Sequence, residues 1–498
     1  MLAQLEEGVV KSLSDTDLHP LTTALGFPVC AKVCSSAVST FRDWRHFRPI
    51  TPAFPVAWYN SLFASNMAHI EAFRAFRYDP ARVPLQQIAT QPYDKITPEM
   101  QERYYSANPH NLVRIILGKR SATDGPSDNV YSRAAKFFAD WRRNGVLVQD
   151  PQPSIYRYAQ EFSVPGGSKQ ERGGFIALGK LEDYSAGIVH RHEQTLSKPK
   201  ADRLDLLRAT RAHFGQIFML YSDPAGEIDR TLAVEQPPTV ELTDEYGVNH
   251  RLWRLSDPAI VSAVRSEMAD KKLIIADGHH RYETALNYRN ERRASSSAPG
   301  TGPAPYDFAM MTFVNMDSPG LLILPTHRVV HGLQEFSMDD LRQNASEFFS
   351  VEEADPTLDS RRATTMLREG AHTGTALLGV SHDRAFLFSR PKAPSSIFHG
   401  LSLQQQSLDV VQLHKCILER ALGISEEAIR DQQNVAYIRD ADETLGMVRA
   451  RKANVAFLMN PVRMREVRDI AFAGGVLPQK STDFYPKLLS GLAIYALE

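Results

Sequence analysis

Leu273-Ile274-Ile275-Ala276 runs without a polar residue straight into Asp277-Gly278-His279-His280-Arg281. Few folds accommodate that junction. Four apolar residues are too few for a buried helix and suit a strand covered on both faces. From Tyr282 to Arg293 there is neither Gly nor Pro, and the composition suits a helix. The simplest reading is a buried strand, a one-glycine corner and a helix start. Asp277 can cap the first turn, and Gly278 lets a ligand approach the backbone closely. Unpaired amides at such a helix start attract an anion, most often phosphate. The competing reading is an ordinary capped helix with a solvated polar first turn. A hydrophobic strand gains nothing structurally by ending in two imidazoles and a guanidinium, and that favours the anion site.

Upstream, Ile188-Val189 leads into His190-Arg191-His192-Glu193, then Lys198-Pro199-Lys200-Ala201-Asp202-Arg203, with a helix expected from Leu204 to Thr210. Positive charge at a helix N-terminus is unfavourable unless an anion compensates it. Lys198, Lys200 and Arg203 therefore read as a phosphate clamp in preference to a solvated helix start. Glu193 stands where a carboxylate could take a proton from a hydroxyl. Lys480 and Lys487, with Ser481 and Thr482 between them, carry the same ambiguity between solvent and anion. His190 and His192 would face the same way on a strand, so zinc is one possibility, but His279 and His280 diverge and no cysteine is near. A magnesium ion held mainly by substrate phosphates and by Asp277 asks for less. Cys30 and Cys34 have no matching ligands and make a poor metal site.

Lys and Arg number 57 against 58 Asp and Glu, so no global field would draw in nucleic acid or an anionic membrane. No apolar run approaches the roughly 18 residues needed to span a bilayer. Three cysteines fit a reducing compartment, and the expected location is the cytoplasm. Walker loops, dinucleotide glycine fingerprints, nucleophile elbows and His-Glu-x-x-His helices are absent from the sequence, which excludes several common enzyme classes. A chain of 498 residues has room for about three domains. Residues 1–66 are weakly patterned, and Met67 is the expected biological start. The remainder divides into an N-terminal αβ lobe (67–180), a motif-rich module (181–335) and a C-terminal αβ lobe (336–498). Helices are expected over Pro98–Ser106 and Asn129–Asn144, and a Ser, Gly and Pro-rich flexible loop or lid over Ala294–Pro305.

Five separated motifs resemble, in order, those of domain-of-unknown-function family 1015: His192-Glu193-x-Thr195, Lys198-Pro199-Lys200-x-Asp202-Arg203-Leu204, Ile275 to Ala285, Leu324-Pro325-Thr326-His327-Arg328, and Pro478-Gln479-Lys480-Ser481-Thr482. The resemblance covers roughly residues 67–498. The chain departs from the family at His213-Phe214-Gly215-Gln216, where Asn-Leu-Ser-Pro is usual, and at Asp483, where an aromatic is usual. Through its Asp-Gly-His-His-Arg turn the family is similar to the ParB–sulfiredoxin superfamily, which sets such a turn against nucleotide phosphates and includes kinases of free L-serine. The resemblance implies an α+β fold with mixed sheets around a ParB/sulfiredoxin-like central module. It also implies a kinase acting on a small hydroxylated metabolite, using ATP or ADP and magnesium. Glu193, Asp277, His279, His280 and Arg281 would then be catalytic. Gly278, His192, Lys198, Lys200, Asp202, Arg203, His327, Lys480 and Ser481 would bind phosphate or substrate, and Asp277 magnesium. The expected partners are a nucleotide and a small molecule, without membrane or nucleic acid. The alternatives are a nucleotide-gated binding protein of ParB type and a metal-dependent hydrolase using His190, His192 and His279.

Overall fold

The Leu273–Asp277 strand lies next to the edge of a nine-stranded mixed sheet. From that edge the order is Val189–His190, Leu273–Asp277, Ile217–Tyr221, Phe308–Asn315, Lys169–Lys180, Ile155–Ser163, Asn249–Leu255 and Val240–Thr243, with Ile70–Glu71 also paired to Lys169–Lys180. Val189–His190 runs parallel to the central strand, Ile217–Tyr221 antiparallel to it. The computed structural model describes residues 68–164, 167–193, 197–295 and 302–498, without the side chains of 197–199. Residues 1–67, including the expected start and two of the cysteines, lie outside the described residues, as does half of the expected 294–305 loop.

The continuous apolar run has its cause in this position. Leu273 and Ile275 join Met219, Met311 and Phe313 in one buried cluster, whereas Ile274 and Ala276 join Phe218 and Met310 in another. Successive side chains enter opposite faces, and both faces are covered. Each fully buried Ile or Leu contributes roughly 1.5–3 kcal/mol.

A second sheet of six antiparallel strands takes the order Ser350–Ala354, Ala385–Ser389, Ala376–Val380, Val455–Met459, His327–Val330, Val435–Ile438. Val330, Leu377, Phe386 and Phe457 on one of its faces belong to the same apolar cluster as Ile274. Val329, Leu378 and Leu458 on the other pack under Ala363, Leu367, Leu445 and Val448, from the Ser360–Gly370 and Ala441–Arg449 helices. The architecture is α+β with mixed sheets. Strands on either side of residue 180 share the larger sheet, and His327–Val330 belongs to the smaller sheet with strands beyond residue 336.

Helix ends follow their caps. Thr97 accepts from the Met100 amide at the start of Pro98–Ala107, and Asn129 accepts from Tyr131 and Ser132 at the start of Val130–Arg143. Ser197–Thr210 begins earlier than the expected Leu204, which places Lys198, Pro199 and Lys200 inside its first turns. Proline is tolerated there because its missing amide would have had no helical acceptor. No helix among the described residues is long and apolar enough to cross a membrane.

Candidate functional site

The register of the central strand against Ile217–Tyr221 shifts between Ile275 and Asp277. Such a bulge ends the regular pairing and re-aims the chain. Gly278 then takes a φ of +92°, and the His279–Ser295 helix begins. A side chain at 278 would meet Arg281, since a Cβ there would stand 2.9 Å from its Nε. The glycine is required by conformation and by space together.

The Tyr282 amide donates to Gly278 O at 2.9 Å. Among the described residues neither the His279 nor the Arg281 amide donates a hydrogen bond. The start of this helix therefore keeps donors open, on the positive end of its dipole. Around it the fold gathers cations. Lys200 pairs with Glu283 in the first turn, where Arg191 approaches the same carboxylate at 4.0 Å. His280 has Lys200, Glu283, Asp94 and Lys480 as charged neighbours.

Beneath the mouth is an ion-pair chain. Arg281 binds Asp277 Oδ2 at 2.8 Å and also donates to Gln216 O. Lys487 Nζ lies 3.6 Å from Asp277 Oδ1 and 3.0 Å from Asp483 Oδ1, and Arg439 binds Asp483 at 2.6 Å. Burial alone would raise the Asp277 carboxyl, but Lys487, Arg281 and Lys95 outweigh it and hold the group well below the usual carboxylate range. Lys487 is buried yet keeps its charge, because Asp277 and Asp483 more than offset its desolvation. Lys95 fares differently. Burial, then Lys487 and Arg439, bring it down to about 8.

His192 and His279 form a neutral pair, with ring centroids 4.8 Å apart. His192 Nδ1 donates to Ile275 O at 2.7 Å, and its Nε2 accepts from Thr482 Oγ1 at 2.8 Å. Burial lowers this imidazole to about 4. Both its nitrogens are engaged by the protein, so His192 ties three segments together and has no ring nitrogen to offer a ligand as sequence reading expected. His279 Nε2 accepts from the His192 amide at 3.4 Å, which leaves the proton on Nδ1. Glu193 accepts from the Lys480 amide at 3.4 Å, and burial raises its carboxyl above the usual value.

Other expected site residues sit elsewhere. Asp202 accepts from Tyr131 at 2.8 Å, from Arg120 at 3.0 Å and from Arg203 Nε at 2.9 Å, which ties it to the Val130–Arg143 helix. Arg203 donates to Ile116 O at 2.6 Å and stacks over Tyr93 at 4.1 Å. It reaches the cluster's margin, lining with Arg281 a cavity of about 80 Å³. His327 is buried in the smaller sheet, where its Nδ1 accepts from the Met459 amide at 3.4 Å. The Ser481 hydroxyl donates to Pro478 O at 2.5 Å. The Lys198 side chain lies outside the described residues. His190 turns to Ala471 O and Gly187 O and packs on Phe472. It does not converge with His192 and His279, and no group of three metal-ligating side chains occurs among the described residues. Asp277 holds its charge between two cations, an arrangement that repels a divalent ion. It does not fit the expected role of magnesium ligand.

Sequence reading missed Lys95, Arg439 and Asp483. Asp483 read only as a departure from the family pattern. Its position opposite Lys487, at helical-like i, i+4 spacing, was the one available signal.

A family model described as a protein of unknown function, DUF1015, matches residues 70–411. No curated protein matches. Among solved structures the chain is similar to a conserved hypothetical protein from Pyrococcus furiosus, at 11% identity and TM-score 0.30 over 60% of this chain and 87% of that one. It is similar to a free serine kinase in complex with AMP at 12% identity and TM-score 0.30, over 60% and 83%. SbnI with C-terminal truncation from Staphylococcus aureus is similar at 9% identity and TM-score 0.30, over 63% and 85%. Likenesses at these scores carry no argument about function, which has to come from the residues themselves.

Proposed function

The chain belongs to the DUF1015 family of proteins of unknown function, and on that premise we propose that it is a nucleotide-dependent phosphotransferase. In this reading it moves a phosphoryl group from ATP or ADP to the hydroxyl of a small metabolite, free L-serine being the first acceptor to try. One observation carries it: the His279 and Arg281 amides are open at a helix start where Lys200 and Lys480 are charged neighbours and Lys95 stands within electrostatic reach of Asp277. Phosphoryl transfer depends mostly on positioning and charge neutralisation, and this arrangement supplies both.

The phosphates occupy the mouth, accepting from the open amides and from His279 Nδ1–H, with the lysines offsetting their charge. Asp277 and Lys487 orient Arg281 from below. Glu193, with its carboxyl raised by burial, takes the proton of the attacking hydroxyl. The hydroxyl oxygen forms a bond to the terminal phosphorus as the bond to the bridging oxygen breaks, and the nucleotide leaves with that electron pair. Magnesium would arrive on the nucleotide phosphates, and no residue here is assigned to it.

Serine-plus-ATP and serine-plus-ADP assays with radiolabelled donor test the reading. Lys200→Ala and Glu193→Gln should each lower turnover about 10²-fold or more, the scale for losing one preorganised group. Wild-type turnover in both variants would remove the assigned roles. Failure of the wild-type protein to bind inorganic phosphate or ADP in calorimetry would remove the anion mouth itself.

A further inference from the structure

A larger cavity, of about 210 Å³, lies beside the Leu477–Gln479 segment, walled by Leu401, Val411, Ile429, Tyr437 and Leu477, with Glu419 and Glu426 also on it but paired to Lys415. One side of it is formed by Leu413–Ala421, which winds as a π-helix. Its wider pitch continues at the end, where the Leu422 amide donates to Ile417 O. π-helical segments are rare and concentrate at functional sites. This stretch places His414 on the cavity, 8% exposed.

The tautomer of His414 follows from its neighbour. Arg328 Nε–H donates to His414 Nε2 at 3.3 Å, and a guanidinium can only donate. Nε2 therefore holds the lone pair, and the ring proton sits on Nδ1. Nδ1 has no hydrogen-bond partner among the described residues. His414, which lines the cavity, thus carries a ring donor that nothing among the described residues receives.

Arg328 lies behind His414. It is 0% exposed, and among the described residues no carboxylate forms an ion pair with it. Its contacts are Thr326 O, Gln479 O at 3.4 Å, His414 and the Tyr437 ring at 4.5 Å. Three of those four partners line the cavity. A buried cation with no carboxylate in ion-pair range is costly, and burial lowers this guanidinium to about 10, with Tyr437 and the Glu193 carboxylate opposing that shift only from longer range. Hydrogen bonding to the cation also polarises the imidazole, which makes Nδ1–H a better donor toward negative charge.

We propose that this cavity binds a small monocarboxylic acid with an apolar body. The carboxylate accepts from His414 Nδ1–H with the Arg328 charge behind it, and the hydrocarbon part lies against Leu401, Val411, Ile429 and Leu477. A cavity of about 150 Å³ accepts benzene, so this one has room for a single ring or branched chain plus a carboxylate. Glu193 acts electrostatically on Arg328 and Tyr437, so the cavity neighbours the phosphotransferase site, but the proposal does not rest on that reading.

Calorimetry on the full chain tests it, with benzoate as probe and benzamide as its neutral counterpart. Benzoate should bind saturably at one site, and benzamide about tenfold more weakly or worse, the factor expected from losing a charge-assisted hydrogen bond. Leu401→Trp, which fills the cavity, should abolish benzoate binding and leave phosphate binding unchanged. Absence of benzoate binding across its soluble range, equal affinity for benzamide, or full binding by a folded Leu401→Trp protein would each overturn the proposal. Should that variant fail to fold, the benzoate and benzamide contrast on the wild-type chain decides alone.

Discussion

Lys95 stands in a short turn at Tyr93–Lys95, and its chemistry is set by residues hundreds of positions away. Burial lowers it first, Lys487 and Arg439 next, against the opposing pull of Asp483 and Asp94, to about 8. It is charged below that value and loses its charge as pH rises through it. Phosphate affinity at the helix mouth should therefore weaken between about pH 7 and 9, and Lys95→Gln should flatten that dependence in a calorimetric pH series. Gly278 makes the opposite case, because its constraint is local. With φ at +92° and Arg281 Nε 2.9 Å from a notional Cβ, Gly278→Ala should cost roughly 1–3 kcal/mol of stability and displace the guanidinium. Chemical denaturation and phosphate titration of the variant measure the two effects separately. The glycine was legible because its neighbours in sequence explain it. Lys95 was not, since its cationic neighbours Lys487 and Arg439 are far from it in sequence.

At the scale of elements, apolar runs and caps predicted well where the partner surface is generic. The central strand and the Asn129-capped helix lie where pattern placed them. The Ser197–Thr210 helix starts sooner than its apolar residues suggest, because contacts with the His279–Ser295 helix and the Lys200–Glu283 pair support its polar first turns. Close backbone approach is a property of paired strands that composition does not reveal. At Gly174 in the Lys169–Lys180 strand a Cβ would stand 2.4 Å from Phe313 O. Gly174→Val should therefore force that strand away from Phe308–Asn315 and cost about 3 kcal/mol or more. A drop of that size in urea-unfolding free energy supports this account, and a neutral result would refute it.

Across the whole chain, the last segment ties the structure together. The Leu477 amide donates to His192 O at 2.7 Å, Asp483–Tyr485 pairs with Leu322–Leu324, Lys487 reaches Asp277, the Ile494 amide donates to Phe76 O at 3.0 Å, and Tyr495 pairs with His213. Protonation tests the same integration. His192, His213 and His327 are each lowered from 6.5 to about 4 by burial. Well above pH 6.5 these groups are neutral in both folded and unfolded chains and contribute nothing to the slope. Between 6.5 and 4 the unfolded chain takes up protons that the folded one excludes, so stability falls as pH falls. Thermal unfolding followed across that window should show a steep decline, and replacing His213 with Phe should make it shallower. The sequence by itself determined the strand, the glycine corner and the helix start, since each depends on residues within one or two turns of itself. Only the tertiary structure decided which charges surround that corner, that His192 is bonded at both nitrogens, and that Lys487 and Asp483 lie beneath Asp277. Desolvation and Coulomb energies depend on distance through space, and the chain brings those groups together only after crossing both sheets.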